Sequence, residues 1–184
     1  MAQSSHVLHE IHPVFNTDSR ILILGSFPSV KSRESQFFYG HPRNRFWDLL
    51  ATLTGEPLPA GIEEKKSLLL AHHIAVWDVI ASCDIEGSSD SSIHNVVPND
   101  LSEILQTASI RQIFTNGGTA YRLYKILFST NSAKSNLSAI HKSGKCSLVK
   151  ETPAYQMESD LSLSRIRTSK PAFIAPFKNE VKIF

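Results

Sequence analysis

ILILGSFPSVKSRESQFFYGHPRNRFWDLL, residues 21–50, is the stretch that decides the fold. It opens with Ile21 to Leu24, an unbroken apolar run between the turn Thr17-Asp18-Ser19 and Gly25. A strand with one wet face alternates polar and apolar residues. An unbroken run needs cover on both faces, as strands of parallel sheets have. Gly25-Ser26-Phe27-Pro28-Ser29 is then a loop at the strand's C-terminal end, where open α/β sheets bind their ligands. Beyond Pro42, the residues Phe46, Leu49, Leu50 and Leu53 recur at helical spacing until Gly55, which predicts a helix from Arg43 to Thr54.

The pattern repeats outward from this block. Ile62 to His73 reads as a helix with Glu63 and Glu64 in its early turn, where acids complement the helix dipole. Ile74 to Ile80 reads as a second buried strand, and Ser82 to Ser92 as a polar loop. A short helix is expected from Asp100 to Thr107, capped by Asn99. Ile110 to Thr115 is a third strand, and Asn116-Gly117-Gly118 turns into a helix from Thr119 to Phe128. Strands alternating with helices predict a three-layer α/β/α sandwich around a short central parallel sheet. After Phe128 the pattern degrades: Cys146 to Val149 is a weak strand, and Pro153, Pro171 and Pro176 interrupt the rest. Residues 129–184 read as a divergent or poorly ordered C-terminal part of the domain formed by residues 1–128.

Length and composition fit one globular domain: 184 residues, 41% hydrophobic and 20% charged. No apolar run is long enough to span a bilayer, and the first residues lack the blocks of a signal peptide, so a cytoplasmic protein away from membranes is expected. Cys83 and Cys146 form no metal spacing and no disulfide framework, and the adjacent pair His72-His73 cannot face one site from a helix. No metal is expected. The net charge of +2 is unevenly spread, with nine Lys/Arg against four Asp/Glu in residues 129–184 and ten against thirteen in the remainder. Affinity for a polyanion would have to come from a local cluster such as Lys31, Arg33, Arg43 and Arg45; a merely solvated surface is the alternative.

Residues 21–50, together with HHIAVWDVIASCDIEGSSDSSI (72–93) and IFTNGGTAYRLY (113–124), resemble the DNA-deoxyinosine glycosylases of the uracil-DNA glycosylase superfamily. The resemblance covers roughly residues 8–128, and three long blocks in order make it specific. It implies a uracil-DNA glycosylase-like fold and a monofunctional enzyme that releases a deaminated base from DNA with no cofactor. Such an enzyme extrudes the nucleotide into a pocket, stacks on the base and reads its polar edge.

 The implied reaction is hydrolytic release of hypoxanthine, with uracil and xanthine as further candidates, in base-excision repair. The implied partner is DNA containing a deaminated base, met by a monomer.

The resemblance also assigns roles. The loop Gly25, Ser26, Phe27 and Pro28 approaches the base, Gly25 through its freedom of backbone torsion and Pro28 by stiffening the turn. Many superfamily members carry a catalytic Asp or Asn at the third loop position. Here that position is Phe27, and the Asn of His-Pro-x-Asn, Asn44, is implicated instead. An asparagine amide can position a water and turn its dipole toward developing charge. Capping the helix that follows is the structural alternative for Asn44, and both roles can coexist. Tyr39 is the residue that would stack on the base, with Phe38 as the alternative, and Asp78 would accept from a ring N–H. His41, Arg43, Arg45, Asn116 and Gly117 would touch the DNA backbone. The family's later motif, which inserts into the minor groove beside the flipped base, has no counterpart in residues 129–184. Two other functions stay open on the residues alone: a DNA-binding relative that releases no base, and a small-molecule nucleotide binder. The absence of Gly-x-Gly-x-x-Gly and of a P-loop counts against the second.

Overall fold

The computed structural model describes residues 4–128. The elements run β1 (Ser5–Leu8), β2 (Ile21–Gly25), α1 (Val30–Ser35), α2 (Phe46–Thr54), α3 (Ile62–Ala71), β3 (Ile74–Asp78), β4 (Ile80–Ile85), a 3-10 turn (Asp90–Ser92), β5 (His94–Pro98), α4 (Ser102–Thr107), β6 (Gln112–Thr115) and α5 (Gly118–Phe128). The weak strand expected at Cys146 to Val149, and the whole reading of residues 129–184, lie outside the described residues.

The parallel sheet has the order β3-β2-β6, with Ile21 opposite both Ile74 and Gln112. Its central strand is buried at every position, which is why its sequence does not alternate. Ile21, Ile23, Ile74 and Val76 face one core, filled by Phe46, Trp47 and Leu50 of α2 and Leu68 and Leu69 of α3. Leu22, Leu24, Ala75 and Ile113 face the other, against Ile104 and Leu105 of α4 and the half-buried Leu123 and Leu127 of α5. Helices on both faces of a small parallel sheet are the expected α/β layering.

A second sheet, order β1-β4-β5, departs from expectation. The run Ile74 to Ile80 is two strands, broken at Val79, and the stretch read as a polar loop from Ser82 contains most of β4. β4 pairs antiparallel with β1 and β5, and its register against β5 shifts between Ile80 and Ser82 and again between Ser82 and Asp84, so its sequence does not alternate cleanly. β1 and β5 are largely exposed, so neither carries an apolar signature. Helix α2 begins three residues later than expected, at Phe46. Helix α4 begins at Ser102, not Asp100, and Asn99 does not cap it. Asn99 is buried and donates its side-chain amide to the carbonyls of Asp78 (2.9 Å) and Ile80 (3.1 Å), while Asp100 Oδ1 accepts from the Ser102 amide. Satisfying two carbonyls in the turn between strands outweighs one helix cap, because buried carbonyls need partners.

Candidate functional site

The C-terminal ends of β2, β3 and β6 meet at one edge of the molecule. Gly25 and Asp78 are opposite each other in the last register position of β2 and β3. The turn after β3 is tied to the loop after β2 by Val79 N–H to Gly25 C=O at 2.9 Å and Ile80 N–H to Ser26 C=O at 3.2 Å. Asn116, after β6, donates its backbone N–H to Leu24 C=O at 2.8 Å. Gly117 then turns with φ of +103° into α5.

Gly25 is required for a different reason from the one expected. Its φ is not positive. A Cβ at this position would run into Asp78 Oδ1 and come to 3.4 Å from the Tyr39 hydroxyl. The residue provides room, not torsional freedom, and the same overlap shows that Gly25, Asp78 and Tyr39 converge. Asp78 is buried, and its Oδ2 accepts from His9 Nε2 at 2.8 Å. His9 was not among the residues singled out from sequence; it lies 69 residues away and stands alone in an irregular segment.

Tyr39 has φ of +52°, an uncommon value for an aromatic residue. Its ring stacks on Phe46 with centroids 3.8 Å apart. The ring keeps partial solvent access, whereas the hydroxyl is buried without a hydrogen bond of normal geometry. Burial, and then the charge of Asp78, push the phenol far above its ordinary range; the Asn116 side chain beside it eases the rise. Phe38, the alternative stacking residue, is sealed in the core against Phe37 and His9.

The Tyr39 hydroxyl gives a prediction. A phenol with a raised folded-state pKa leaves stability constant below the unfolded value of 10.0, and stability then falls as pH rises from there toward the folded value. Tyr39→Phe is therefore expected to hold or raise stability near neutrality, by up to about 1 kcal/mol, since it removes an unsatisfied buried hydroxyl. It is also expected to reduce the alkaline loss above pH 10. Urea melts of both chains from pH 7 to 11 check this; a Tyr39→Phe variant whose stability falls as steeply as the parent's contradicts it.

Asn44 Oδ1 accepts from the Phe46 amide at 2.9 Å, so its side chain closes the start of α2. Its Nδ2 makes no hydrogen bond among the described residues, and the residue is exposed. The structural role therefore uses the oxygen and leaves the amide N–H pair to solvent. His41 to Asn44 is a turn, with Asn44 N–H on His41 C=O at 2.8 Å and Arg43 N–H on His41 Nδ1 at 3.1 Å. Arg43 and Arg45 are exposed on the same segment. No direct hydrogen bond joins Asn44 to Gly25 or Asp78 among the described residues; the link runs through Phe46, on which Tyr39 stacks.

The basic cluster is only partly available. Arg33 donates to Pro28 C=O at 2.7 Å and Gly87 C=O at 3.2 Å, and lies over Phe27; Lys31 pairs with Glu34. Ser26 Oγ donates to Asp90 Oδ2 at 2.8 Å. Asp90 keeps solvent access, yet crowding by protein raises its carboxyl above the usual range; the Ser26 bond opposes the rise and the charge of Asp78 adds to it. Sequence reading missed Asp90 because it sits among serines in an apparent loop. Cys83 is buried, and burial pushes its thiol up to about 11, which makes it a poor nucleophile. Among the described residues no cluster of His, Cys, Asp and Glu is arranged to hold a metal ion.

Comparison with known proteins follows the same residues. The model of the uracil DNA glycosylase superfamily matches residues 12–181. A protein named hypoxanthine DNA glycosylase from Methanosarcina acetivorans is 40% identical over 109 residues, 58% of this chain and 69% of the relative. One of the same name from Methanosarcina barkeri is 34% identical over 107 residues, 57% of this chain and 68% of the relative. A solution NMR structure of a candidate uracil DNA glycosylase from Methanosarcina acetivorans superimposes with a TM-score of 0.57 at 30% identity, covering 73% of this chain and 92% of that one.

Proposed function

The chain belongs to the uracil DNA glycosylase superfamily, and on that premise we propose that it hydrolyses the N-glycosidic bond of deaminated bases in DNA, hypoxanthine first, with uracil and xanthine as further candidates. The observation that carries the base preference is the Asp78 carboxylate oxygen lying directly over Gly25 at the strand ends. A carboxylate accepts; it does not donate. Deamination of adenine turns the ring N1 from a lone pair into an N–H, so an acceptor at this position favours hypoxanthine and repels adenine.

In this reading Tyr39 stacks on the extruded base, and Ser26, Phe27 and Pro28 line its approach. Asn44 orients the attacking water through its free amide. The water oxygen bonds to C1′, the bond from C1′ to the base nitrogen breaks, and the base takes the electron pair while the water proton passes to solvent. An abasic site is the product. The reaction requires no metal or organic cofactor, and no lysine is assigned as a Schiff-base nucleophile. We read residues 1–128 as the part that carries the site and residues 129–184, which lie outside the described residues, as a divergent C-terminal part of the same domain; a family match running from residue 12 to residue 181 supports a single domain. We read the enzyme as a cytoplasmic monomer. Separately, among the described residues no helix is long and apolar enough to cross a membrane.

His41, Arg43, Arg45, Asn116 and Gly117 contact the DNA backbone in this reading. Removing both Arg43 and Arg45 as alanine variants is expected to weaken binding of any duplex and to flatten the dependence of log K on log salt by about 0.9 for each lost phosphate contact. Fluorescence titrations at several salt concentrations measure the slope; an unchanged slope removes these arginines from the interface. The activity itself is tested with oligonucleotides carrying hypoxanthine or adenine at one position. Strand scission by alkali at hypoxanthine alone is the expected result, and equal treatment of both bases overturns the assigned preference.

A further inference from the structure

β1 pairs with β4 so that Leu8 faces Ser82, and the next residue, His9, donates its backbone N–H to Ala81 C=O at 2.8 Å. The N-terminal strand thereby carries His9 to the end of β3. Its side chain is only 1% exposed, and that of Asp78 only 6%. The ring is boxed by Phe27, Phe38 and Trp77 at centroid distances of 5.8, 6.3 and 6.3 Å. Phe27, which has no reacting group to offer, is one wall of this box. Nε2 lies 2.8 Å from Asp78 Oδ2, and Nδ1 is buried with no partner. The ring therefore has one polar contact, and it is with the carboxylate.

We propose that His9 is a positioning residue for base recognition: by holding Oδ2 it fixes the Asp78 carboxylate in one orientation and leaves Oδ1, over Gly25, as the single acceptor for a ring N–H. The proposal rests on the reading of Asp78 as the base acceptor. A carboxylate free to turn could place either oxygen, or a proton on one of them, toward the base, and a protonated carboxyl would donate to a ring lone pair. The other titratable groups facing Asp78 are the Tyr39 hydroxyl and the Asp90 carboxylate, neither of which supplies an opposite charge. His9 alone among them makes a hydrogen bond to the carboxylate, at 2.8 Å.

The test compares release of hypoxanthine with release of unsubstituted purine, which offers a lone pair at N1, from otherwise identical oligonucleotides. Full-length His9→Phe keeps an aromatic ring in the box and removes the donor. His9→Gln keeps a donor near the Nε2 position. His9→Phe is expected to lower kcat/KM for hypoxanthine about 10- to 100-fold, the range for losing a hydrogen bond to a charged group, and to shrink the preference for hypoxanthine over purine. His9→Gln is expected to restore most of both. A folded His9→Phe chain with an unchanged preference overturns the proposal. If His9→Phe does not fold, His9→Gln and the shorter His9→Asn carry the comparison, and equal preference in those two overturns it. Asp78→Ala separates the two levels: if that variant keeps the parent's preference, the base-acceptor reading itself fails, and the proposal with it. A lost preference in Asp78→Ala beside an intact one in His9→Phe leaves that reading standing and overturns only the role of His9.

Discussion

Asn44→Ala is expected to slow single-turnover release of hypoxanthine about 100- to 1,000-fold, the usual effect of removing one preorganised amide from a reacting centre. The structure makes this prediction separable from folding. Asn44 uses Oδ1 to cap the Phe46 amide and leaves Nδ2 without a hydrogen bond among the described residues. Asn44→Ala removes both functions, and losing the cap alone costs about 1 kcal/mol of stability. Asn44→Ser keeps an oxygen to accept from the Phe46 amide and removes the amide N–H pair without adding a charge. The expected outcome is therefore a stable Asn44→Ser chain that releases base far more slowly than the parent, measured by quenched time courses beside thermal melts. An Asn44→Ser variant that melts like the parent and also cuts like the parent would confine Asn44 to the helix cap.

Gly25→Ala carries the second large effect, and it acts on both stability and activity. The added methyl would occupy the space of Asp78 Oδ1, whose partner oxygen is held by a buried histidine. Either the strand end shifts or the carboxylate leaves His9. Overpacking of this kind costs about 1–3 kcal/mol, and a broken His9–Asp78 hydrogen bond adds to that cost. The thermal midpoint should fall by several degrees, and base release should fall with it even at temperatures where the chain stays folded, because the acceptor has moved. Gly61→Ala is the matched control: Gly61 has φ of −106°, and nothing lies within 4 Å of a Cβ built there. Its melting and activity should stay close to the parent's. A Gly25→Ala chain with parental stability and activity would contradict the close packing on which the site depends.

These two residues also mark what could be read in the sequence. The parallel sheet was legible because β2 is apolar without interruption, and only a strand covered on both faces tolerates that. The antiparallel sheet was not. β1 and β5 are exposed edge strands with no periodic signal, and β4 joins them through pairings ten or more residues distant in sequence. α1 is six residues of mostly polar sequence whose start is set by Ser29 Oγ accepting from Ser32 N–H, a local contact that leaves no apolar stripe. In the site, Gly25, Tyr39 and Asp78 were named from the resemblance, and the fold brings them together. The reason given for Gly25 was wrong: its neighbour, not its torsion, requires glycine. His9 and Asp90 were out of reach, because each meets the site across more than sixty residues of chain, His9 in no motif and Asp90 among serines in an apparent loop.

The most direct test of the account is the fate of the base itself. Full-length chain is incubated with a duplex containing one hypoxanthine, and free base and abasic strand are quantified together by mass spectrometry. Free hypoxanthine and abasic strand in equal amounts, with neither from an adenine duplex, are the expected products. A folded chain that binds the duplex with strong salt dependence but frees no hypoxanthine, uracil or xanthine would contradict it, and would make the protein a DNA-binding relative without the reaction.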